Sequence, residues 1–416
     1  MNSPSLLDHE WQALLALLPT DRQEAAQRLG AFTRKRQIQH ADDLLRLLLV
    51  YAWGALSLRS TAAWARHQEV ATLSDVALLE RFQKAESWLA WLLSQTLRAR
   101  CALPAVPTLP YRVRVVDATI LCRPGSHGTD WRVHVGLDLS TLQSDQIELT
   151  DAQGGESFTR FAVSPCDLLV GDRGYAHRAG LVHVVQAGGH VLVRFAWQNL
   201  PLQHPNGTGF DLMGALQTLQ GPLGEWSVQT APDPKQPLPA VAGRVIALRR
   251  SPEAAEAAKR RARQNARKKG HTVDARTLLS CEFILVFTSV PADALDAGTL
   301  LALYRLRWQI ECGFKRLKSI LHLDDLPAHD PRLSRSWIYA KLLGALLVET
   351  LASSWAAFSP WAGPEGEADL PSDRLAVAVM ADGMALLATG GRDRFIPERL
   401  ARGGAAPEGL VSRPAA

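Results

Sequence analysis

The stretch YRVRVVDATIL, residues 111–121, alternates along its length: Val113, Val115 and Asp117 fall on one face, Arg112, Arg114 and Val116 on the other. A period of two marks a half-buried β-strand, and it breaks with everything before it. Residues 1–105 read as helix throughout, with Pro104, Pro107 and Pro110 punctuating the change. Downstream, DWRVHVGLDLS (130–140) alternates again, and QIELTDA (146–152) is a third short strand. DLLVGDRGY (167–175) is a compact apolar run closing on Asp172 between two glycines. Helical AHRAGLVHVVQAG (176–188) and the strand HVLVRFAW (190–197) follow. Hairpin-like strands, a further buried strand and a helix predict a mixed sheet in an α/β domain.

In the N-terminal region, SLRSTAAWARHQ (57–68) and SDVALLERFQKAESWLAWLLSQTL (74–97) are helix-period segments joined by EVATL, with Ser74 as N-cap of the second. The pair is either a DNA-reading helix-turn-helix or an antiparallel pair in a bundle. Residues 196–290 are rich in Pro and Gly, with short strands at EWSVQT, GRVIALRR and CEFILVFTSV. Among them, SPEAAEAAKRRARQNARKKG (251–270) predicts a helix over 252–269: Ser251 caps it, Pro252 suits its first turn, Glu253 and Glu256 its positive end, and Gly270 its stop. Seven of the eleven residues from Lys259 to Lys269 are cationic: Lys259, Arg260, Arg261, Arg263, Arg267, Lys268 and Lys269. The block is either a solvated charged face or a phosphate-gripping arm, and the lack of any balancing acid favours the arm.

YRLRWQIECGFKRLKSI (304–320) sets one acid, Glu311, among cations. On a continuous helix turning about 100° per residue, Tyr304, Arg307, Glu311, Lys315 and Lys318 share one face. Leu303, Leu306, Ile310, Phe314, Leu317 and Leu321 form a separate apolar stripe. Glu311 could simply pair with Arg307 and Lys315 one turn away. Beyond it, RSWIYAKLLGALLVETLASSW (335–355) is a buried helix. A Pro/Gly-rich loop at 360–373, a helix at 373–389 and a disordered tail from 401 are expected.

At 416 residues, 47% hydrophobic and 21% charged, the composition is that of an ordinary globular protein with a modest +5 charge. Cys101, Cys122, Cys166, Cys281 and Cys312 are odd in number and lack CxxC spacing, which argues for a reducing compartment and against zinc. No basic n-region precedes the first apolar run, so no signal peptide is expected. LLRLLLVYAWGALSL contains Arg46, and YAKLLGALLVETLASSWAAF contains Lys341 and Glu349, so both read as buried helices rather than membrane spans. A cytoplasmic protein is expected.

Asp117 sits on an otherwise apolar strand face, where a carboxylate is costly unless paired or metal-bound. Asp172 follows an apolar strand in the same way, and Glu311 comes from a helix expected to pack on that sheet. Three converging carboxylates suit two Mg²⁺ ions acting on an in-line phosphoryl transfer, with Arg307 and Lys318 on flanking phosphates. His127, His134, His177 and His183 read as structural or surface residues, Cys312 as a packing residue, and Asp138 and Asp151 have no partner evident in the sequence.

Tyr304, Arg307, Glu311 and Lys318 match the Y-x₂-R-x₃-E-x₆-K signature of the DDE transposases of bacterial insertion sequences, in the insertion sequence 4 family. VVDAT (115–119) resembles that family's first-aspartate motif and GDRGY (171–175) its second, and the resemblance extends over about residues 30–350. It implies an RNase H-like mixed-sheet core interrupted by a mainly β insertion. The divisions are a helical DNA-binding domain at 1–105, core at 106–195, insertion at 196–290, core again at 291–355, and a helical C-terminal region with its tail at 356–416. It further implies that Asp117, Asp172 and Glu311 ligate two Mg²⁺ ions, with Mn²⁺ as a substitute. Tyr304, Arg307 and Lys318, with Lys315 beside them, would contact transposon-end DNA. The implied activity is cut-and-paste cleavage and joining at terminal inverted repeats, through hairpin ends, by a dimer that holds both ends and the target DNA in the bacterial nucleoid. A flipped base would stack on Phe283 or Trp197, each of which could equally be a core aromatic. The rival readings are an inactive DNA-binding descendant and a metal-dependent nuclease without strand transfer.

Overall fold

The computed structural model describes residues 6–101, 109–141, 143–232 and 237–357. Nine strands in this range form one sheet: β1 Arg112–Leu121, β2 Trp131–Asp138, β3 Gln143–Asp151, β4 Asp167–Gly171, β5 His190–Arg194, β6 Leu202–Gln203, β7 Leu223–Thr230, β8 Ala242–Arg249 and β9 Phe283–Thr288. Their order is β3-β2-β1-β4-β5-β9-β8-β7-β6. β1, β4 and β5 run parallel, and every other pairing is antiparallel. β9 pairs with β5, so the strands of the 196–290 segment extend the same sheet. The protein is thus mixed α/β, with a large sheet among many helices. The expected loop, helix and tail beyond residue 357 lie outside the described residues.

Parallel strands covered on both faces read as continuous apolar runs, and DLLVG and HVLVR do so. Val113, Val115, Leu168, Val170, Leu192 and Val286 face a core shared with the helices Ala41–Trp53, Glu86–Cys101 and Pro331–Ala357. Val116, Leu169, Val191, Val193, Leu285 and Phe287 face a second core with Phe158, Tyr175 and the helix Arg178–Gln186. Each fully buried Leu or Val in these layers contributes about 1.5–3 kcal/mol. In Pro331–Ala357, Lys341 is 6% exposed; its ammonium donates to Leu321 O at 2.8 Å and lies over the Trp53 and Trp337 rings. Burial lowers its pKa to about 8. No helix among the described residues is long and apolar enough to cross a membrane.

Ser74 caps as expected, accepting from Ala77 N at 3.2 Å. The single helix expected over 74–97 is instead two, Asp75–Gln83 and Glu86–Cys101. Bonds Lys84 N to Arg81 O and Ala85 N to Phe82 O tighten the turn between them. In one straight helix Phe82 and Trp88 would point about 120° apart; the turn buries both completely.

The arginines of β1 hold a buried ion network. Arg114, 3% exposed, donates from Nε to Asp145 at 2.5 Å and from Nη1 to Asp167 at 3.1 Å. Arg112 donates from Nε to Asp138 at 2.7 Å, which supplies the partner that the sequence left open for that acid. Buried charges persist only when paired in this way. The network ties the start of β1 to the start of β4 and so fixes the register of the two strands that carry Asp117 and Asp172.

Candidate active site

β1 and β4 pair in parallel up to Val115 opposite Val170. Continued beyond the ladder, that register sets Asp117 abreast of Asp172. The Asp117 side chain is 16% exposed, and its Oδ1 accepts from Ala118 N at 2.8 Å. Asp172 caps the short turn Arg173–Tyr175, Oδ1 accepting from Gly174 N at 2.7 Å. A third acid, Glu156, stands at the same place from the loop between β3 and β4: its charge acts on both aspartates. Burial, reinforced by the charges of Asp172 and Glu156, raises Asp117 to about 7 against the pull of Ala118 N–H and Arg307. Burial and then Asp172 raise Glu156 as well.

The segment carrying Glu311 is not the continuous helix expected over 304–320. Ala297–Arg305 ends, Trp308–Lys315 begins, and Arg316–Ile320 is a π-turn. Bonds Leu306 N to Leu303 O, Arg307 N to Tyr304 O and Gln309 N to Leu306 O tighten the join. The tightened turn rotates Leu306 out of the apolar stripe to 40% exposure, while Ile310 and Phe314 stay buried. Local π geometry often marks functional sites. Here it accompanies Lys318, whose Nζ donates to Ile120 O at 2.8 Å on β1. Lys315 is exposed and Tyr304 half-buried.

Arg307 stands between two of the three expected carboxylates. Its Nη2 donates to Glu311 Oε1, and its Nη1 lies 3.5 Å from Asp117 Oδ2. Glu311, with a side chain 56% exposed, is therefore brought to Asp117 through a guanidinium. The other side of the site is basic. Arg194, at the end of β5, feels the charges of Arg173, Arg250 and Arg307, and burial with those neighbours lowers its pKa. Arg250 is lowered likewise, by burial first and then by Arg173. Among the described residues, neither Arg173 nor Arg194 has a carboxylate within ion-pair distance, and neither Asp172 nor Glu156 has a cation there, though Arg132 acts on Glu156 from farther off.

Among the described residues, no three His, Cys, Asp or Glu side chains stand together at ligating distance. The donor chemistry nonetheless fits a hard divalent cation at Asp117 and Asp172: two half-buried carboxylates, of which, among the described residues, Asp117 has one arginine at 3.5 Å and Asp172 has no ion-pair partner. His134, His177 and His183 have other work. His134 is fully buried with Nε2 3.0 Å from Thr150 Oγ1, and burial lowers its pKa to about 4. His177 caps a helix, and His183 bonds to Phe161 O.

The basic block forms the helix Pro252–Lys268, capped by Ser251 and stopped by Gly270 at φ 73°. Arg260, Arg261, Arg263, Arg267, Lys268 and Lys269 are exposed. Lys259 is instead paired with Glu256 at 3.0 Å and Glu282 at 2.9 Å. Phe283 is 2% exposed beneath the Arg249 guanidinium, so it offers no face to a base; it packs as a core aromatic. Trp197 is half-buried, bonded to Thr277 Oγ1 at 3.2 Å and covered by Arg276. Glu156, Tyr175, Arg173, Arg194 and Arg250 escaped the sequence reading. Of these Arg173 and Tyr175 lay in a motif, GDRGY; Glu156 follows a Gly-Gly pair that signals no more than a loop.

Residues 108–347 match the transposase DDE domain. InsL for insertion sequence element IS186A of Escherichia coli K12 is 40% identical over 358 residues, spanning 84% of this chain and 96% of its own length. The transposase for insertion sequence element IS421 of Escherichia coli is 40% identical over 359 residues, with the same two shares. A cryo-EM structure of a piggyBac transposase synaptic complex with hairpin DNA aligns at a TM-score of 0.48 and 7% identity, over 97% of this chain and 87% of that one.

Proposed function

The chain belongs to the transposase DDE domain family as a transposase of a bacterial insertion sequence, an enzyme acting on DNA; from that premise we propose that it binds the terminal inverted repeats of its own element and cuts and rejoins DNA there. In this reading the chain is a member of the insertion sequence 4 family with the Tyr304, Arg307, Glu311, Lys318 signature. Its sheet is an RNase H-like core, and Asp117, Asp172 and Glu311 hold Mg²⁺, or Mn²⁺ in its place. The observation that carries it is the charge layout: Asp117 and Asp172 stand at the ends of two parallel strands, Arg307 lies against Asp117, and Arg307 adjoins a cluster of Arg194, Arg173 and Arg250. A nucleic-acid phosphate needs both sides, cations for its oxygens and carboxylates around the attacking and leaving atoms.

Divalent ions bound at these carboxylates would activate the attacking oxygen and stabilise the leaving one. The protein's part is positional. Arg307 exchanges its carboxylate contacts for a phosphate oxygen and releases Glu311 towards Asp117. Arg194, Arg173 and Arg250 grip the phosphates on the other side, and Lys318, held against β1, places the backbone near Asp117. Water is the first nucleophile and the freed 3′-hydroxyl the next, so a single site serves cleavage and strand transfer. Excision through hairpin ends leaves the stacking role to Trp197. The exposed cations of Pro252–Lys268 bind flanking duplex, and a dimer holds both ends.

The test uses DNA carrying the ends of the element that encodes the chain, with and without Mg²⁺, and Glu311→Gln alongside. Metal-dependent cuts at the repeat boundary and joined products, both lost in Glu311→Gln, are expected. Cuts without joined products would reduce the protein to a nuclease. Binding without cuts, equal in both proteins, would refute the assignment.

A further inference from the structure

Glu156 shares its space with Asp172. A methyl group on Gly174 would collide with the Glu156 carboxylate and lie 3.1 Å from Asp172 Oδ1, so the space above that glycine is filled by two acids side by side. The loop bearing Glu156 is fixed there: His177 Nε2 lies 3.1 Å from Glu156 O, while His177 Nδ1 accepts from Gly180 N and caps the following helix. Glu156 is therefore held beside the turn that carries Asp172. Alone, such an arrangement is only two like charges in contact.

A second feature gives it meaning. Tyr175 is fully buried, yet among the described residues its hydroxyl has no hydrogen-bond partner. That hydroxyl stands where the charges of Asp117, Glu156 and Asp172 act together. Buried hydroxyls are almost always bonded, so one left unpartnered within the field of these acids points to a bound species that supplies the partner. A hydrated hard cation does so: it takes carboxylate oxygens as ligands, and its bound water donates to a phenol oxygen.

We propose that Glu156 is a fourth oxygen donor at the divalent-cation site of Asp117 and Asp172, with the Tyr175 hydroxyl bonded to the ion's water. The proposal rests on the reading of those two aspartates as ligands. It separates Glu156 from Glu311: Glu156 already stands beside Asp172, whereas Glu311 is held off by Arg307.

The test titrates the metal-free full chain with MnCl₂ alone, following heat and water proton relaxation. Glu156→Gln is expected to weaken Mn²⁺ binding on the order of tenfold or more, Tyr175→Phe by a smaller step in the same direction. In chelator, Glu156→Gln is expected to melt higher than wild type because a like-charge neighbour of Asp172 is gone, an effect that a purely structural glutamate would not give. Should Glu156→Gln lose its fold by circular dichroism, Tyr175→Phe carries the test, since it leaves every carboxylate in place and must still weaken Mn²⁺. Wild-type Mn²⁺ affinity in the glutamine variant, with Asp172→Asn losing the ion, overturns the role of Glu156 alone. Undiminished binding in Asp172→Asn as well overturns the aspartate site and this inference together.

Discussion

Replacing Asp117 with Asn should stabilise the metal-free protein, and by an amount that depends on pH in a fixed direction. The folded state raises Asp117 from 3.8 to about 7, through burial first and then the charges of Asp172 and Glu156. Between those values the folded chain binds a proton that the unfolded chain has released. Stability therefore falls as pH rises through the window from about 4 to 7 and stays low above it. Three pKa units at about 1.36 kcal/mol each set an upper limit of about 4 kcal/mol at pH 8. Asn matches the shape of Asp, keeps an oxygen for Ala118 N–H and carries no charge, so it escapes the penalty. Thermal melts of both proteins in chelator would read the effect, a gain on the order of 5 °C at pH 8 for a chain of this size. The gain should shrink towards zero at pH 4, where Asp117 is protonated in the folded state. Added Mn²⁺ at pH 8 should raise the wild type and leave Asp117→Asn nearly unmoved. A variant that melts lower than wild type at pH 8, or by the same margin at both pH values, would show that Asp117 is not a charge held at a cost.

Arg114→Met should destabilise by about 3–5 kcal/mol, because it leaves Asp145 and Asp167 buried beside one fewer cation; urea unfolding measures it, and a loss below about 1 kcal/mol would remove Arg114 from the account of the β1–β4 register. Neutralising Arg260, Arg261, Arg263 and Arg267 together to Gln should weaken binding to DNA of any sequence and flatten its salt dependence by about 0.9 in logarithmic slope for each phosphate that the helix no longer neutralises. An unchanged slope would return Pro252–Lys268 to a solvated surface helix.

The sheet was legible because its strands keep a period of two or read as short apolar runs, and burial on one or both faces enforces those patterns. Asp117 and Asp172 were legible for a related reason: a carboxylate inside or just after such a strand breaks the pattern at a cost that needs a cause. Local rules stop at the joins. The wheel over 304–320 assumed unbroken geometry, whereas Leu306 turns outward because the chain tightens around Arg307. The helix over 74–97 breaks for a similar reason, since Phe82 and Trp88 compete for one core.

Charge compensation is the other property that spacing does not carry. Arg114 and Asp145 are 31 positions apart and Arg307 and Asp117 are 190 apart, so whether a given arginine serves folding or substrate is set by which acid the topology delivers to it. Arg114 meets two buried aspartates and becomes a bolt; among the described residues Arg194 and Arg173 meet none, which in the proposed reading leaves them for phosphate. Glu156 makes the same point for acids: in sequence it is one loop glutamate after two glycines, and only the turn at Gly174 sets it against Asp172. A sequence reader can find the residues whose chemistry conflicts with their own strand or helix, but not those whose conflict is with a neighbour brought from elsewhere in the chain.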